Sequence, residues 1–117
     1  MDEVAIVIAD TSGSIRYWSR GAEKTFGHTE KDAVGQSLDL IVPEEFRKSH
    51  WMGFRATMAS GSASIEGQQS AFPVAATGGR IVNAPGKLTL LRGLDDKVVG
   101  AMVIFGLIGP AGLEPAT

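Results

Sequence analysis

His50 lies in the middle of an apolar stretch, where an ionisable side chain needs an explanation. A helix would place its neighbours four residues away on the same face, which then consists of Phe46, His50, Phe54 and Met58, with Trp51 beside it. A buried imidazole that lacks a hydrogen-bond partner costs about 1–3 kcal/mol, so a partner is expected. That partner is either a bound iron atom, because neutral imidazole is an ordinary iron ligand, or a backbone carbonyl. The third possibility is a side chain that lies half exposed at the edge of the helix.

Other kinds of chemistry find little support in the composition. Cysteine is absent, which excludes disulfides, thiolate nucleophiles, cysteine-based zinc sites and cysteine-linked chromophores. Gly86-Lys87 is not part of a phosphate-binding loop, because Ile81 and Leu88 occupy positions that need Gly and Ser or Thr. No spacing indicates a hydrolytic triad, and His28 is expected to be an exposed turn residue. We therefore expect no enzyme activity.

The length and charge of the chain indicate one ordinary globular domain. It has 117 residues, 44% hydrophobic and 21% charged, and a net charge of −2, and a chain of this size forms a core of its own. There is no basic excess that would attract nucleic acid or an anionic membrane. The longest apolar run, residues 98–108, is too short to span a bilayer, and the acidic start does not match a signal peptide. These features predict a cytoplasmic domain without a nucleic-acid or membrane partner.

The order of the predicted elements favours an α+β fold. Residues 4–9 and 14–19 form a hairpin, with Ile15 and Trp18 on opposite faces of its second strand. Short helices follow, and then a long helix over residues 43–60. Further strands are expected at 64–72, at 78–82 or beyond together with 87–92, and at 97–107. This order predicts one antiparallel five-stranded sheet that short helices and one long helix cover on one face, with a ligand cavity between the layers.

Several short motifs together resemble the PAS domain, the small sensor module of bacterial signalling proteins. They are Phe26-Gly27 at the end of a short helix, Thr29-x-x-Asp32 and Val34-Gly35 around the next one, a Leu-Ile-x-Pro step at 40–43, and GAMVIF at 100–105. The resemblance spans about residues 4–108 and implies the PAS fold and a sensory function. We therefore assign residues 1–108 to one PAS sensor domain and residues 109–117 to a flexible C-terminal tail.

The long predicted helix has a narrower resemblance to the haem-binding PAS domains of oxygen-sensing histidine kinases and direct oxygen-sensor phosphodiesterases. Pro43, Glu44, Arg47 and His50 have the spacing of the segment that supplies the proximal haem ligand in those proteins. The resemblance implies that His50 binds the iron of haem b. It also implies that the domain senses a diatomic gas or a redox state.

The sequence departs from this subgroup at several positions. The distal arginine of the kinases falls near Ser70, and the methionine ligand of the phosphodiesterases falls near Gln68. Ala56 and Ser64 occupy the positions of the charged groups that hold the haem propionates in the kinases. Gln68 or Gln69 could hydrogen-bond a distal gas ligand instead. Candidates to pair with the propionates are Arg55, Arg80 and Lys87.

The long helix and the sheet would both line the haem pocket. The candidate lining residues are His50, Trp51, Phe54 and Met58 from the helix, and Ile65, Gln68, Phe72, Ile81, Leu88, Leu90, Met102 and Ile104 from the remainder. The alternative is a haem-free PAS module that dimerises, binds a partner protein or binds a small organic ligand. Trp18 and Trp51 would then be interface anchors. A homodimer is expected, and its signalling partner is unknown.

Overall fold

The computed structural model describes residues 4–106, and a sheet runs through their centre. The strands are β1 (Ala5–Asp10), β2 (Ile15–Trp18), β3 (Gln69–Ala75), β4 (Ile81–Arg92) and β5 (Val98–Phe105). All neighbouring strands pair antiparallel, in the order β2-β1-β5-β4-β3. The helical segments are α1 (Arg20–Phe26), α2 (Glu30–Ala33), α3 (Arg47–Ser60) and 3-10 turns at Leu38–Leu40, Glu44–Phe46 and Thr77–Gly79. The predicted α+β architecture, with its five-stranded antiparallel sheet and one long helix, is confirmed.

A bulge in the first hairpin changes which side chains enter the core. Val7 pairs with Trp18 and Ala9 with Ile15, so three steps along β2 match two steps along β1. Ile15 and Trp18 consequently both lie on the buried face, with exposed fractions of 0% and 2%. The prediction that they face opposite sides is wrong. Trp18 is a core residue whose Nε1 donates to the backbone oxygen of His28 at 2.7 Å, so it is not available as an interface anchor.

Side-chain caps fix the short helices to the sheet. The Ser19 hydroxyl oxygen accepts hydrogen bonds from the backbone N–H of Ala22, at the start of α1, and of Ile6 in β1. The Thr29 hydroxyl oxygen accepts from the N–H of Asp32, as the predicted capping motif requires. These bonds satisfy donors that would otherwise remain free at the helix starts.

The predicted long helix starts with a tighter turn. Residues Glu44–Phe46 form a 3-10 turn, and the regular helix α3 begins at Arg47. The Arg47 guanidinium donates to the backbone oxygens of Val42 and Asp39, at 3.1 Å and 3.2 Å. These bonds hold the start of α3 against the preceding segment.

The strands after α3 differ from the prediction in their limits. Residues 61–68 form a loop, so β3 begins at Gln69 and not at residue 64. The two predicted pieces at 78–82 and 87–92 are one continuous strand, β4. Within it, a side chain at Gly86 would bring a Cβ to 2.9 Å from the backbone oxygen of Ile104, which leaves room only for glycine.

Two sequence-based expectations concern the ends of the chain and its relation to membranes. The predicted tail, residues 109–117, lies outside the described residues. Over residues 4–106, no helix is both long and apolar enough to cross a membrane.

Candidate ligand-binding site

A cavity of about 610 Å³ lies between α3 and the sheet face that the helices cover. This volume falls within the usual range for small-molecule sites. The sheet contributes Val7, Ala9, Phe72, Pro73, Val74, Leu88, Leu90, Ala101, Val103 and Phe105. The helix α3 contributes Ser49, His50, Gly53, Phe54, Thr57 and Met58, and the segments around it Leu38, Ile41, Val42, Phe46, Ala63, Ser64 and Ile65.

The wall of this cavity is apolar apart from a few groups on α3 and the following loop. Ser49, Thr57 and Ser64 add hydroxyls, and His50 adds the imidazole. Within residues 4–106, no Asp, Glu, Lys or Arg lines the cavity. No residue of α3 is fully buried, although Trp51 and Phe54 pack against the core. An apolar helix face that borders a cavity indicates space for a ligand.

His50 carries a buried nitrogen that nothing in the described part of the chain satisfies. Its Nδ1 is inaccessible to solvent and has no hydrogen-bond partner there. The ring packs edge-on against Trp51, with centroids 4.8 Å apart, and lies 5.8 Å from the Phe54 ring. Burial lowers the pKa of His50 below its usual 6.5, and the negative charge of Asp39 opposes this shift more weakly. The imidazole is therefore neutral at pH 7, the form in which histidine binds a metal.

A loop from residue 61 to residue 68 closes one side of the cavity. The strand β3 begins at Gln69, which pairs with Lys87. Residues 88–92 of β4 therefore have no strand partner on the side of β3. The loop takes this place: the Glu66 carboxylate accepts from the N–H of Leu90 at 2.9 Å, and the N–H of Gly67 donates to the oxygen of Leu88 at 2.9 Å. These bonds hold the three loop residues that line the cavity, Ala63, Ser64 and Ile65.

Part of the predicted pocket lines this cavity. His50, Phe54 and Met58 face it from α3, four residues apart, as the helical spacing predicts. Predicted residues from the loop and the sheet that line it are Ile65, Phe72, Leu88 and Leu90. Whether any of them contacts a cofactor stays a prediction.

Three predicted residues, Met102, Ile104 and Ile81, lie on the sheet face opposite the cavity, so the prediction that they line the pocket is wrong. In β5 the cavity residues are Ala101, Val103 and Phe105, so the alternation of the strand turns Met102 and Ile104 away.

A second bulge, between β4 and β5, explains why Met102 and Ile104 do not line the cavity as predicted. Arg92 pairs with Val98, and continuing that register would set Leu88 opposite Met102. The register shifts by one residue between Leu91 and Arg92, and Leu88 pairs with Val103 instead. Ile81, which is 55% exposed, lies outside for a related reason: β4 is one strand, so the alternation that puts Leu88 inside puts Ile81 outside.

Trp51 and Gln68 also lie outside the cavity, contrary to prediction. The indole of Trp51 lies at a smaller neighbouring depression with Ser37, Asp39 and Arg55, since α3 turns it one residue away from the His50 face. Gln68 is exposed, and its amide nitrogen donates to the backbone oxygen of Ser64 at 3.3 Å. Neither the side chain of Gln68 nor that of Ser70 lines the cavity.

The three cations suggested for propionate binding point elsewhere. The Arg55 guanidinium lies 5.7 Å from the centre of the Trp51 ring. Arg80 donates to the backbone oxygen of Thr77, and Lys87 lies on the outer side of β4, opposite Ile104. None of these three lines the cavity, and whether any of them pairs with a propionate stays a prediction.

His28 is not part of the site either. It is half-buried, not exposed as predicted, and its Nε2 lies 3.3 Å from the backbone oxygen of Ala75. Its ring also packs edge-on against Trp18. This histidine therefore has structural contacts that account for it.

The sequence reasoning missed several cavity residues. The most informative is Gly53, which follows His50 by one helical turn and lies on the same side of α3. Others are Val7, Ala9, Ala101, Val103 and Phe105. Helical spacing from His50 would have identified Gly53. The three β5 residues, Ala101, Val103 and Phe105, needed knowledge of the bulge between β4 and β5, because both faces of β5 are apolar.

The sequence profile of the PAS-fold family matches residues 3–105. The chain belongs to the PAS family. PAS domains are sensory modules, so a sensory role follows from the family. Crystallographic relatives agree with this assignment at the level of the fold. A PAS domain from Colwellia psychrerythraea superposes with a TM-score of 0.73 at 19% identity, over 88% of this chain and 84% of that one.

Two sensor proteins resemble parts of this PAS domain in sequence. Sensor protein FixL of Bradyrhizobium diazoefficiens is 37% identical over 46 residues, which is 39% of this chain and 9% of that protein. Oxygen sensor protein DosP of Escherichia coli K12 is 25% identical over 61 residues, 52% of this chain and 8% of that protein. The matches thus span less than a tenth of the length of these curated relatives.

A further structural neighbour was determined with a bound ligand. The PAS domain of the Cronobacter turicensis RpfR quorum-sensing receptor, in complex with C12:0, superposes with a TM-score of 0.66 at 16% identity. The superposition covers 87% of this chain and 90% of that chain. At this identity the likeness concerns the fold alone.

Proposed function

We propose that this sensory PAS domain binds haem b in the cavity, with His50 as the iron ligand, and senses a diatomic gas or a redox state. The observation that carries the proposal is the buried Nδ1 of a neutral imidazole, which has no hydrogen-bond partner among residues 4–106 and lies in the wall of an apolar cavity of about 610 Å³. An unsatisfied buried nitrogen is costly, so a bound group that engages the imidazole would offset this cost. The similarity of part of the chain to a sensor and an oxygen sensor supports the same proposal.

The residues of the cavity suit a flat, mostly apolar cofactor. Phe54 and Met58 follow His50 on α3, and Leu88, Leu90 and Val103 face them from the sheet. Such side chains pack against an aromatic ring system and exclude water from it. Because the described lining residues carry no charge except for ionisable His50, we infer that the acidic groups of haem lie toward solvent. When bound, haem supplies an iron centre that takes up small gases and changes its oxidation state.

The protein itself would position the haem and respond to the sensed ligand. His50 contacts Trp51, and Trp51 is hydrogen-bonded to Asp39 in the segment before α3. A ligand that moves His50 therefore acts on a hydrogen-bonded contact outside the cavity. We infer that the signal is a shift between two arrangements of α3, one of which binds the sensed ligand more tightly.

A haemin titration tests the proposal. Purified protein is titrated with haemin and followed by absorption, alongside His50→Ala and the matched control His28→Ala. We expect a Soret band that saturates at one haem per chain in the wild type and in His28→Ala. We expect affinity weaker by at least about tenfold, or 1.4 kcal/mol, in His50→Ala. Absence of binding in the wild type, or equal binding by His50→Ala, would overturn the proposal.

The uncharged cavity also favours a second candidate, an extended apolar ligand such as a fatty acid. Apart from His50, the described lining offers hydroxyls, hydrocarbon and the Met58 thioether, which suits an alkyl chain. The RpfR neighbour was determined with such a chain, C12:0. Calorimetric titration with dodecanoate separates the candidates: tight binding in a protein that does not take up haemin favours the apolar ligand.

Other sequence-based expectations stay predictions. PAS domains commonly dimerise, and we expect this chain to form a homodimer whose signalling partner is unknown. We likewise predict a cytoplasmic location, no catalytic, nucleic-acid or membrane role, and a domain limit at residue 108.

A further inference from the structure

Gly53 stands in the interior of α3, where glycine is an unfavourable choice. It is the seventh residue of a 14-residue helix, and helix-interior glycine is less favourable than alanine because its backbone loses more freedom on folding. A glycine at such a position needs a reason in the fold or in the function.

The fold does not supply that reason. Gly53 has no positive φ, in contrast to Gly61 at the end of the same helix. Apart from its chain neighbours and the backbone of its own helix, a Cβ added at Gly53 would meet no atom of residues 4–106 within 4 Å, whereas one added at Gly100 would collide with the backbone of Ala9. Gly53 is thus required neither by backbone conformation nor by packing against the rest of the domain.

The space beside Gly53 belongs to the cavity. His50 and Thr57, about one turn away on either side, line the same cavity. Because Gly53 has no side chain, the backbone of α3 is uncovered on the cavity side, one turn after His50. A ligand that engages His50 and extends along α3 would pass over this backbone.

We propose that Gly53 is a specificity-determining residue, which leaves room for a planar ring system to lie against α3 beside His50. The proposal rests on the proposed haem-binding function and adds to it the position that admits the ring. It requires that larger side chains at residue 53 weaken ligand binding while the domain itself remains folded. Stability and affinity are therefore expected to change in opposite directions in Gly53→Ala.

The experiment compares Gly53→Ala and Gly53→Leu with the wild type and with Ala59→Leu. Ala59 is exposed on the same helix and does not line the cavity, so Ala59→Leu controls for added bulk. Urea unfolding and haemin titration are measured for each. We expect Gly53→Ala to raise the folding equilibrium constant by about two- to fivefold, as helix propensity predicts. We expect its haemin affinity to fall, and that of Gly53→Leu to fall by at least about tenfold. Ala59→Leu is expected to keep wild-type affinity.

The outcomes separate this proposal from the haem proposal. If the wild type binds haemin and the Gly53 variants bind equally well, the role of Gly53 is refuted and the haem proposal stands. If Gly53→Ala is less stable than the wild type, the glycine serves the fold and the role is again refuted. If the wild type does not bind haemin, the haem proposal fails, and the ring-specific role of Gly53 fails with it. Dodecanoate titration of the same variants then shows whether residue 53 limits an alkyl chain instead.

Discussion

The indole Nε1 of Trp51 donates a 2.7 Å hydrogen bond to Oδ1 of Asp39. The same indole packs edge-on against the imidazole of His50. Asp39 lies in the 3-10 turn before α3, and its charge acts on His50 through space. Trp51 therefore lies outside the cavity but links the cavity histidine to a carboxylate near the surface. This link yields the first prediction.

Replacing Asp39 with Asn should lower the pKa of His50 further. Burial already lowers this pKa, and the attraction of Asp39 for the charged imidazolium opposes the lowering. The amide of Asn keeps an oxygen that can accept from Trp51, so the packing is preserved while the charge is removed. An NMR titration of the His50 ring protons measures the effect, with Asp95→Asn as a remote control. A pKa that stays the same or rises in Asp39→Asn would contradict this electrostatic account.

Stability should depend on pH through His50. Because its pKa is lower in the folded state than its usual 6.5, the unfolded chain takes up the proton at a higher pH. The stability that neutral His50 contributes is present above about pH 6.5 and is lost as the pH falls toward the lowered value. Urea unfolding at pH 7.5 and pH 5 should show a smaller loss for His50→Phe than for the wild type. His28→Gln controls for the removal of an imidazole, and equal losses in the wild type and His50→Phe would argue against this assignment.

Gly13 should tolerate a side chain less well than Gly35. Both have positive φ, +86° and +95°, so alanine is strained at either position. At Gly13 the added Cβ would also overlap the Trp51 ring, whereas at Gly35 it would meet no described atom within 4 Å. We expect Gly13→Ala to lose at least about 1 kcal/mol more unfolding free energy than Gly35→Ala, the usual cost of overpacking. This excess should shrink in a Trp51→Ala background, and an undiminished excess would show that Trp51 is not its cause.

Glu66 should control how firmly the loop closes the cavity. Its carboxylate accepts from the N–H of Leu90, a group beyond the reach of β3. Glu66→Ala removes this acceptor and should cost about 1–2 kcal/mol of unfolding free energy, with faster amide exchange at Leu90. Glu66→Gln keeps an acceptor oxygen and is the matched control. If Leu90 exchanges equally fast in all three proteins, the hydrogen bond does not secure the loop.

The sequence was sufficient for the architecture because its signals are local. Gly27 marks the end of α1 and Thr29 the start of α2, and the structure uses both of them. The spacing of His50, Phe54 and Met58 identifies the inner face of α3, since a helix repeats every 3.6 residues whatever surrounds it.

The sheet side of the site was harder to predict because it depends on pairing. A bulge at Leu91–Arg92 exchanges the two faces of β5, and neither face is polar enough to reveal this. Trp51 was misplaced for a different reason. His50, the preceding residue of α3, lines the cavity, whereas the Trp51 indole hydrogen-bonds Asp39, which lies close to it only in the folded chain.

The most direct test of the account asks which histidine touches the iron. Electron–nuclear double resonance on haemin-loaded protein, prepared with ¹⁵N-labelled histidine, detects nitrogen bound to the metal. We expect a histidine nitrogen coupling in the wild type and in His28→Gln, which differs between unlabelled and ¹⁵N-labelled protein. We expect this coupling to be absent in His50→Gln. A coupling that persists in His50→Gln, or the absence of any histidine coupling in the wild type, would contradict the assignment of His50 as the haem ligand.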